Sequence, residues 1–584
     1  MELIQSGDMF ELHNTVEDTV RKELEEYDDL IASLLARRNV RTKEEAQAFL
    51  DPSYEEHVSD PFLILNMEKS ARRIVQAIDG NEKIAVWSDY DCDGIPGGVI
   101  LHDFLKKVGA DFVNYIPHRH NEGYGVNEIG LTKLASEGVK LVITVDSGIV
   151  DNEAVAHANE LGMEVIVTDH HLPSPEGVPP AFAVVDAKQE GETSEFTEWC
   201  GSGIAWKLVC AVLKVARETE GHEVWGVTEG WEKWLLDMVA LATVADMVSL
   251  TGENRVLVKY GLVVMRKTKR LGLQRLCKVA RVDQRFITEE DIGFMLAPRV
   301  NAASRMGDPM DAFKLFTTES EVEADELAKK LEAVNRSRKA VAGATTKAVH
   351  EKLKKIEGDI PDVIVLGDPD WRPGLLGLVA NGIAEEYGRP VFLWGREGSN
   401  TLKGSCRGGP AGVHVVELMR TAEDAFLEFG GHSGAGGFSV SVEQSLTLEQ
   451  KLCEALKKLP PDDIDAFRID AEISLSEVSH ALLKKIQRLS PFGMDNEKPV
   501  FGFKDVHIEN VAWFGKGEEH IRLTLRVDEF GESLQAMAFY GKRNLGRVTE
   551  KIEKGGTAHI AATLEKDTFT RGQPIRLRLV SVRV

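Results

Sequence analysis

Short apolar runs that end in acidic residues constrain this chain more than any other feature. Six of the aspartates between positions 89 and 246, and a pair of adjacent histidines, stand out. Asp89, Asp91 and Asp93 occur in Ser-Asp-Tyr-Asp-Cys-Asp-Gly, Asp146 in Ile-Thr-Val-Asp-Ser-Gly, Asp169, His170 and His171 in Ile-Val-Thr-Asp-His-His, and Asp246 in Ala-Thr-Val-Ala-Asp. Most follow runs that read as buried β-strands: Lys83 to Trp87, Leu141 to Val145 and Glu164 to Val167. The further runs Phe112 to Ile116 and Phe182 to Val185, with helical patterns at Ala71 to Ile78 and Gly98 to Val108, make strands alternate with helices, which implies βαβ units and a parallel sheet. In such a sheet the carboxyl ends of successive strands lie side by side, so distant acids converge on one crevice. That much negative charge in one place requires cations.

The ligand types say which cations. In Asp-x-Asp-x-Asp-Gly, alternate residues of an extended segment share a side, and the three carboxylates converge once the chain turns at Gly94 and Gly97-Gly98. A solvated acidic turn is the bland alternative. A calcium EF-hand is excluded because loop position 12, counted from Asp89, Asp91 or Asp93, falls on Ile100, His102 or Phe104 instead of Glu. Imidazole beside carboxylate at a strand end suits Mn²⁺. The number of ligands suggests two ions, with a carboxylate such as Asp146 bridging a pair roughly 3.5 to 4 Å apart.

Beyond this region, residues 18 to 50 alternate charged and apolar positions at helical spacing, and Asp51-Pro52 stops the pattern. Residues 203 to 265 read as mostly helical. A long charged helix over Glu321 to Lys355 leads into a strand, Asp362 to Leu366, and a second α/β unit running to about 455. From about 500 the chain turns to strands, His520 to Val527, Leu534 to Phe539, Ala558 to Leu564 and Ile575 to Val582, which predicts a small β-barrel. The expected division is an N-terminal helical region at 1–68, an α/β domain at 69–310, a connecting helix at 311–357, a second α/β domain at 358–458 and a barrel domain at 459–584.

Composition sets the outer limits. The 584 residues suffice for three or four domains. No uncharged apolar stretch reaches the roughly 18 residues of a membrane span, and the start lacks a basic n-region, so a cytoplasmic protein without a membrane partner is expected. Six scattered cysteines show no zinc-type spacing and read as reduced thiols. The formal charge of -24 opposes a nucleic-acid partner at first sight, but residues 501 to 584 carry 14 Lys+Arg against 11 Asp+Glu, a net of +3 that leaves -27 for the rest. Part of that deficit sits where bound cations would reverse the local sign.

These motifs resemble the DHH phosphoesterases: Asp-Tyr-Asp-Cys-Asp-Gly, Val-Asp-Ser-Gly-Ile, Asp169-His170-His171 and Ala242 to Asp246 match the family's motifs I to IV. Glu122-Gly123-Tyr124-Gly125, Cys200-Gly201-Ser202-Gly203, Gly252-Glu253-Asn254-Arg255 and the stretch Ala297 to Met306 resemble the RecJ branch. So do Trp371-Arg372-Pro373-Gly374, Lys403 to Arg407, Phe429-Gly430-Gly431-His432 and Pro491-Phe492-Gly493. The resemblance implies a 5′-to-3′ exonuclease on single-stranded DNA in recombination and repair, built from a DHH domain, a connecting helix, a DHHA1 domain and an OB-fold. It implies that Asp89, Asp91 and Asp146 serve one Mn²⁺ or Mg²⁺, that Asp93, Asp146, His170 and Asp246 serve the other, and that His171 faces the scissile phosphate or completes a shell.

It further implies that Ser405 and Arg407, helped by Arg119, hold a 5′-phosphate, that Arg299, Asn301 and Arg305 contact the DNA backbone, and that His432 approaches substrate phosphates. By composition alone Gly404 to Arg407 reads first as an ordinary glycine turn, Gly430-Gly431-His432 equally as a flexible turn, and Arg299, Asn301 and Arg305 equally as salt bridges between domains. Trp513, Phe514, Lys516 and Arg522 could offer bases a stacking and charged face on the barrel, with Trp513 reading equally as core. A monomer working with a helicase and a single-strand-binding protein is the implied setting. The chain departs from the family pattern at Arg372, Ser304 and Asp186-Ala187, none of them an implied ligand. Two rival readings remain at this level: a phosphodiesterase of short oligonucleotides or cyclic dinucleotides, and a non-catalytic DNA-binding scaffold.

Overall fold

The computed structural model describes residues 10–13, 15–118, 122–220, 224–396, 401–409, 412–459, 467–515, 517–528, 530–567, 570, 572 and 574–584. It forms two compact units, one of residues 37–337 with 487–497, the other of residues 1–36, 338–486 and 498–584.

The first unit is built on five strands, β1 (Ile84–Ser88), β2 (Phe112–Tyr115), β3 (Leu141–Val145), β4 (Glu164–Thr168) and β5 (Ala183–Val185). They lie in the order β2-β1-β3-β4-β5, and every pairing is parallel. Every residue of β1 and β3 is buried, as expected of a parallel sheet covered on both faces. Ile84, Val86, Leu141 and Ile143 enter one core with helices α1 (Met67–Asp79), α2 (Gly94–Val108) and α3 (Gly201–Glu220). The intervening Ala85, Trp87 and Val142 enter another core with Leu131, Leu134, Val155 and Ala158. The period of two along each strand thus sorts side chains between two helical layers.

Further helices complete this unit: α4 (Leu236–Ala245), α5 (Gly252–Lys267) and α6 (Ala297–Met306), the last preceded by a π-helical stretch, Asp291–Leu296. Helix α7 (Glu321–Leu353) begins here and continues without a break past residue 337. The segment 487–497 belongs with this unit although it lies inside the stretch 459–584 expected to be the barrel domain. Arg255, in α5 and 2% exposed, explains the attachment. Its guanidinium donates to the carbonyls of Phe49, Leu489, Ser490 and Pro491.

The second unit holds a mixed sheet and a barrel. Strands β6 (Ile364–Gly367), β7 (Val391–Arg396), β8 (Leu402–Arg407), β9 (Glu428–Gly431) and β10 (Ala435–Val440) lie in the order β9-β10-β8-β7-β6. Only β6 and β7 pair in parallel, joined by the crossover helix α8 (Pro373–Tyr387). The barrel comprises β11 (Phe501–Phe514), β12 (His520–Arg526), β13 (Ser533–Ala538), β14 (Thr557–Lys566) and β15 (Ile575–Arg583). Strand β11 closes it: its second half pairs with β12 and its first half with β14, and register shifts near Val506 and Asn510 bend it between them. The fold is α/β with parallel-sheet, mixed-sheet and barrel parts, as expected.

Candidate metal centre

With strand order 2-1-3-4-5, the topological switch lies between β1 and β3, and ligands of such sheets bind at the carboxyl ends of those strands. Asp89 is the first residue after β1 and Asp146 the first after β3. Both are buried, at 4% and 3% exposure. The Asp89 amide donates to the Val145 carbonyl and the Asp146 amide to Thr168, so the sheet ladder extends to both acids. Asp146 then turns with φ of 60°, a conformation few residues other than glycine adopt.

After Asp89 the chain turns into α2. Asp91 Oδ1 accepts hydrogen bonds from the amides of Asp93 and Gly94, which folds the carboxylates inward. The turn is tight: a Cβ on Gly94 would lie 2.5 Å from the Asp89 carbonyl oxygen. Asp93 is fixed by the first turn of α3, its two oxygens accepting from the amides of Gly201 (2.6 Å) and Ser202 (2.8 Å). Amides at a helix start carry partial positive charge, which suits a buried carboxylate. The side chain of Ser202 also donates to the Asp93 carbonyl. A Cβ on Gly201 would lie 2.5 Å from the Cβ of Asp146, so glycine there lets the helix start touch both acids.

Asp169 follows β4 and organises the two histidines. Its Oδ1 accepts from the amides of His170 and His171 and faces Nδ1 of His171 at 2.8 Å, while Oδ2 accepts from the Ile149 amide. Burial pushes the Asp169 carboxyl up, but the hydrogen bond and charge of His171 outweigh it and hold the group below its ordinary value. His171 moves the other way: burial opposes its charge, and the bond to Asp169 with nearby carboxylates raises it to about 9. In sequence Asp169 counts with the converging acids but has no task of its own, although its place in the family's three-letter motif is a signal for one.

His170 Nε2 lies 3.1 Å from Asp146 Oδ1, 3.6 Å from Asp246 Oδ2 and 3.7 Å from Asp93 Oδ2. Asp246 reaches this point from the C-terminal cap of α4. The 3.1 Å contact lacks hydrogen-bond geometry: Asp146 Oδ1 and both ring nitrogens of His170 are buried with no hydrogen-bond partner among the described residues. Burial and the charges of Asp93, Asp91 and Asp89 push Asp146 well above the carboxylate range. Burial, Asp93 and Asp91 raise Asp246 to about 8. Burial lowers His170, favouring the neutral imidazole a metal requires.

Ligand atoms within 4.8 Å of one another form three groups: Asp89, Asp91 and Asp146; Asp93, His170 and Asp246; and Asp146, His170 and His171. Crowded, mutually repelling carboxylates, with Asp146 Oδ1 and the His170 ring nitrogens left without a hydrogen-bond partner among the described residues, are what hard or borderline divalent cations fit.

The remaining expected residues are placed more variously. Asn301 accepts a hydrogen bond from the Cys92 amide, inside the aspartate turn. Burial and Asp93 raise the carboxyl of Asp91, and the charge of Arg305 partly opposes them. Arg299, expected on the DNA backbone, is 6% exposed and bonds Glu332 and the Met295 carbonyl instead, so its guanidinium faces protein. In the second unit, Ser405 and Arg407 are alternate residues of β8 and share a side. Ser405 sits opposite Gly437, and Arg407 lies beside Gly377 of α8 with its charge disfavoured by burial. His432 is exposed at the turn between β9 and β10. Trp513, Phe514 and Arg522 are on adjoining barrel strands. Arg119 and Lys516 lie outside the described residues. Of the departures, Ser304 donates to the Asn301 carbonyl, and Asp186 is fully buried and raised by burial to about 7.

Known proteins resemble the chain along most of its length. Family models match at residues 83–243 (DHH family, N-terminal domain), 361–459 (DHHA1 domain) and 469–581 (RecJ OB domain). The single-stranded-DNA-specific exonuclease RecJ of Bacillus subtilis (strain 168) is 33% identical over 95% of this chain and 68% of its own. That of Dickeya dadantii (strain 3937) is 30% identical over 87% of this chain and 89% of its own. The crystal structure of RecJ in complex with Mn²⁺ from Thermus thermophilus superposes with a TM-score of 0.79 at 26% identity, covering 99% of this chain and 79% of that one. With 30% identity or more sustained over most of both sequences, the chain belongs to the RecJ family of single-stranded-DNA-specific exonucleases.

Proposed function

We propose that this protein hydrolyses single-stranded DNA from the 5′ end with two divalent cations, Mn²⁺ or Mg²⁺, held at the β1/β3 switch. The observation that carries the reading is the convergence of Asp89, Asp91, Asp93, Asp146, His170 and Asp246 with Asp146 common to two ligand groups. Asp89, Asp91 and Asp146 would hold one cation, and Asp93, Asp146, His170 and Asp246 the other. Cations held there would supply the Lewis acidity to activate a water and to neutralise charge on the leaving 3′-oxygen.

The protein's own groups do the rest. Asp93 keeps its position through the α3 amides, and the buried, neutral His170 presents Nε2 to the carboxylates. His171, its Nδ1 committed to Asp169 and its side chain 41% exposed, leaves Nε2 for a substrate phosphate. Ser405 and Arg407 offer a hydroxyl and a guanidinium suited to a terminal phosphate, and Arg119 is assigned to the same task. Arg305, Asn301 and His432 are assigned to the DNA path, Asn301 with the added task of holding the aspartate turn. Arg299 is reassigned to the protein interior. Single-stranded DNA is the substrate; a monomeric enzyme in DNA repair and recombination, working in the cytoplasm with a helicase and a single-strand-binding protein, completes the proposal. Among the described residues, no helix is long and apolar enough to cross a membrane.

The test is mononucleotide release from end-labelled strands. A 5′-labelled single strand should release labelled mononucleotide at once and only with added metal, while blunt duplex resists. Equal early release from a 3′-label would overturn the polarity, and metal-independent release would overturn the site.

A further inference from the structure

Helix α6 meets the aspartate turn at one point. The Cys92 amide, between Asp91 and Asp93, donates to Asn301 Oδ1 at 2.9 Å. The next two amides of the turn, those of Asp93 and Gly94, are satisfied locally by Asp91. Cys92 is 1% exposed, so water cannot replace Asn301, and a buried amide without an acceptor is costly.

Two residues earlier in the same helix, Arg299 Nε donates to Glu332 Oε2 at 2.7 Å and Nη1 to the Met295 carbonyl. Positions two apart on an α-helix project about 200° apart, so α6 is wedged between α7, which bears Glu332, and the turn that bears Asp91 and Asp93. Met295 belongs to the π-helical stretch just before α6. Such stretches recur at functional sites, where they reset the register of the helix that follows. Arg299 ties that stretch and α6 to α7.

We infer that Glu332 is a positioning residue for the cation pair: it fixes Arg299, Arg299 fixes the rotation of α6, and α6 presents Asn301 to the Cys92 amide so that Asp91 and Asp93 hold their places. The inference rests on the proposed reading of those aspartates as metal ligands. Glu332 is remote from substrate in this scheme and acts only through Arg299. Because α7 runs on past residue 337 as a single helix, the same contact joins the metal turn to the helix that leads into the second unit.

The test uses the full chain carrying Glu332→Gln, with Mn²⁺ binding followed without DNA by the electron paramagnetic resonance of the free ion. The expected result is a roughly 3- to 10-fold weaker Mn²⁺ affinity, at the low end of effects from residues behind metal ligands. Cleavage at saturating Mn²⁺ should return to within about twofold of the parent, and the thermal midpoint in chelator should stay close to the parent value. The reversed pair, Arg299→Glu with Glu332→Arg, should recover affinity and keeps the idea testable if the single variant folds poorly. Parent-like Mn²⁺ affinity in Glu332→Gln, or a loss that only tracks unfolding in chelator and is not recovered by the reversed pair, would overturn it. If Asp146→Asn also binds Mn²⁺ like the parent, the metal site itself is misassigned, which is a separate failure.

Discussion

At the scale of single residues, Asp146 concentrates the problem this protein has to solve. It is buried, left-handed in φ, and faced by Asp89, Asp91, Asp93 and Asp246, so the metal-free protein carries both backbone strain and charge repulsion there. Asn is among the few residues that tolerate the same φ, so Asp146→Asn should fold while removing the ionisable group. We predict that this variant melts at a higher temperature than the parent in chelator, gains no stability from Mn²⁺, and loses single-strand cleavage by about 100-fold or more. Thermal melts and a cleavage assay check all three.

The same repulsion sets a pH dependence. The folded-state value of Asp246, about 8, lies above its ordinary 3.8, so the folded form holds its proton more tightly than the unfolded one. The stability of the metal-free protein should therefore fall as pH rises from about 4 to about 8. Cations, which displace the protons, should stabilise most at the upper end of that range. Melting in chelator and in Mn²⁺ across that window measures it.

The candidate ligands stand out in the sequence because Asp89, Asp146 and His170 come just after strands, Asp91 and Asp93 run into a glycine turn, and Asp246 closes an apolar helix. The setting of Arg299 does not, since an arginine in the first turn of a helix reads the same whether it faces DNA or Glu332.

At the scale of elements, the close approach of α3 to both acids depends on one missing methyl group. Gly201→Ala should push the helix start away from Asp146, costing about 1–3 kcal/mol as overpacking and displacing the amides that hold Asp93. Denaturant melts and Mn²⁺ affinity should both register the change.

Arg255 is the corresponding feature of α5. It binds carbonyls from residues 49 and 489–491, so two family motifs far apart in the chain, Gly-Glu-Asn-Arg and Pro-Phe-Gly, are physical partners. Arg255→Met should destabilise by about 3 kcal/mol through unpaired carbonyls, and speed amide exchange in residues 489–497 before the sheet is affected.

The buried strands β1, β3 and β4 were readable because a parallel sheet demands continuous apolar runs. Strand β11 escaped notice for a physical reason: Lys504, Asp505, Glu509 and Asn510 interrupt its alternation where it bends from one partner strand to the other. The attachment of 487–497 to the first unit was equally silent, because it depends on backbone carbonyls, which carry no sequence signature.

At the scale of the whole molecule, an acidic chain degrades a polyanion. The conflict eases once the carboxylates are counted as cation ligands and the barrel region, at +3, is separated from the remainder at -27. A protein with a barrel as well as a catalytic domain should prefer long strands, so turnover of a 5′-phosphorylated oligonucleotide should far exceed that of a dinucleotide. Arg407→Met should narrow the advantage of a 5′-phosphate over a 5′-hydroxyl, and binding should weaken with salt as phosphate contacts are screened.

All of this depends on paired cations at the sheet's switch point. Crystals grown with Mn²⁺ and measured for anomalous scattering test that directly. The account predicts two peaks roughly 3.5 to 4 Å apart, one among Asp89, Asp91 and Asp146 and the other among Asp93, Asp146, His170 and Asp246. Bound Mn²⁺ found only elsewhere, with these side chains turned away from one another, would contradict it.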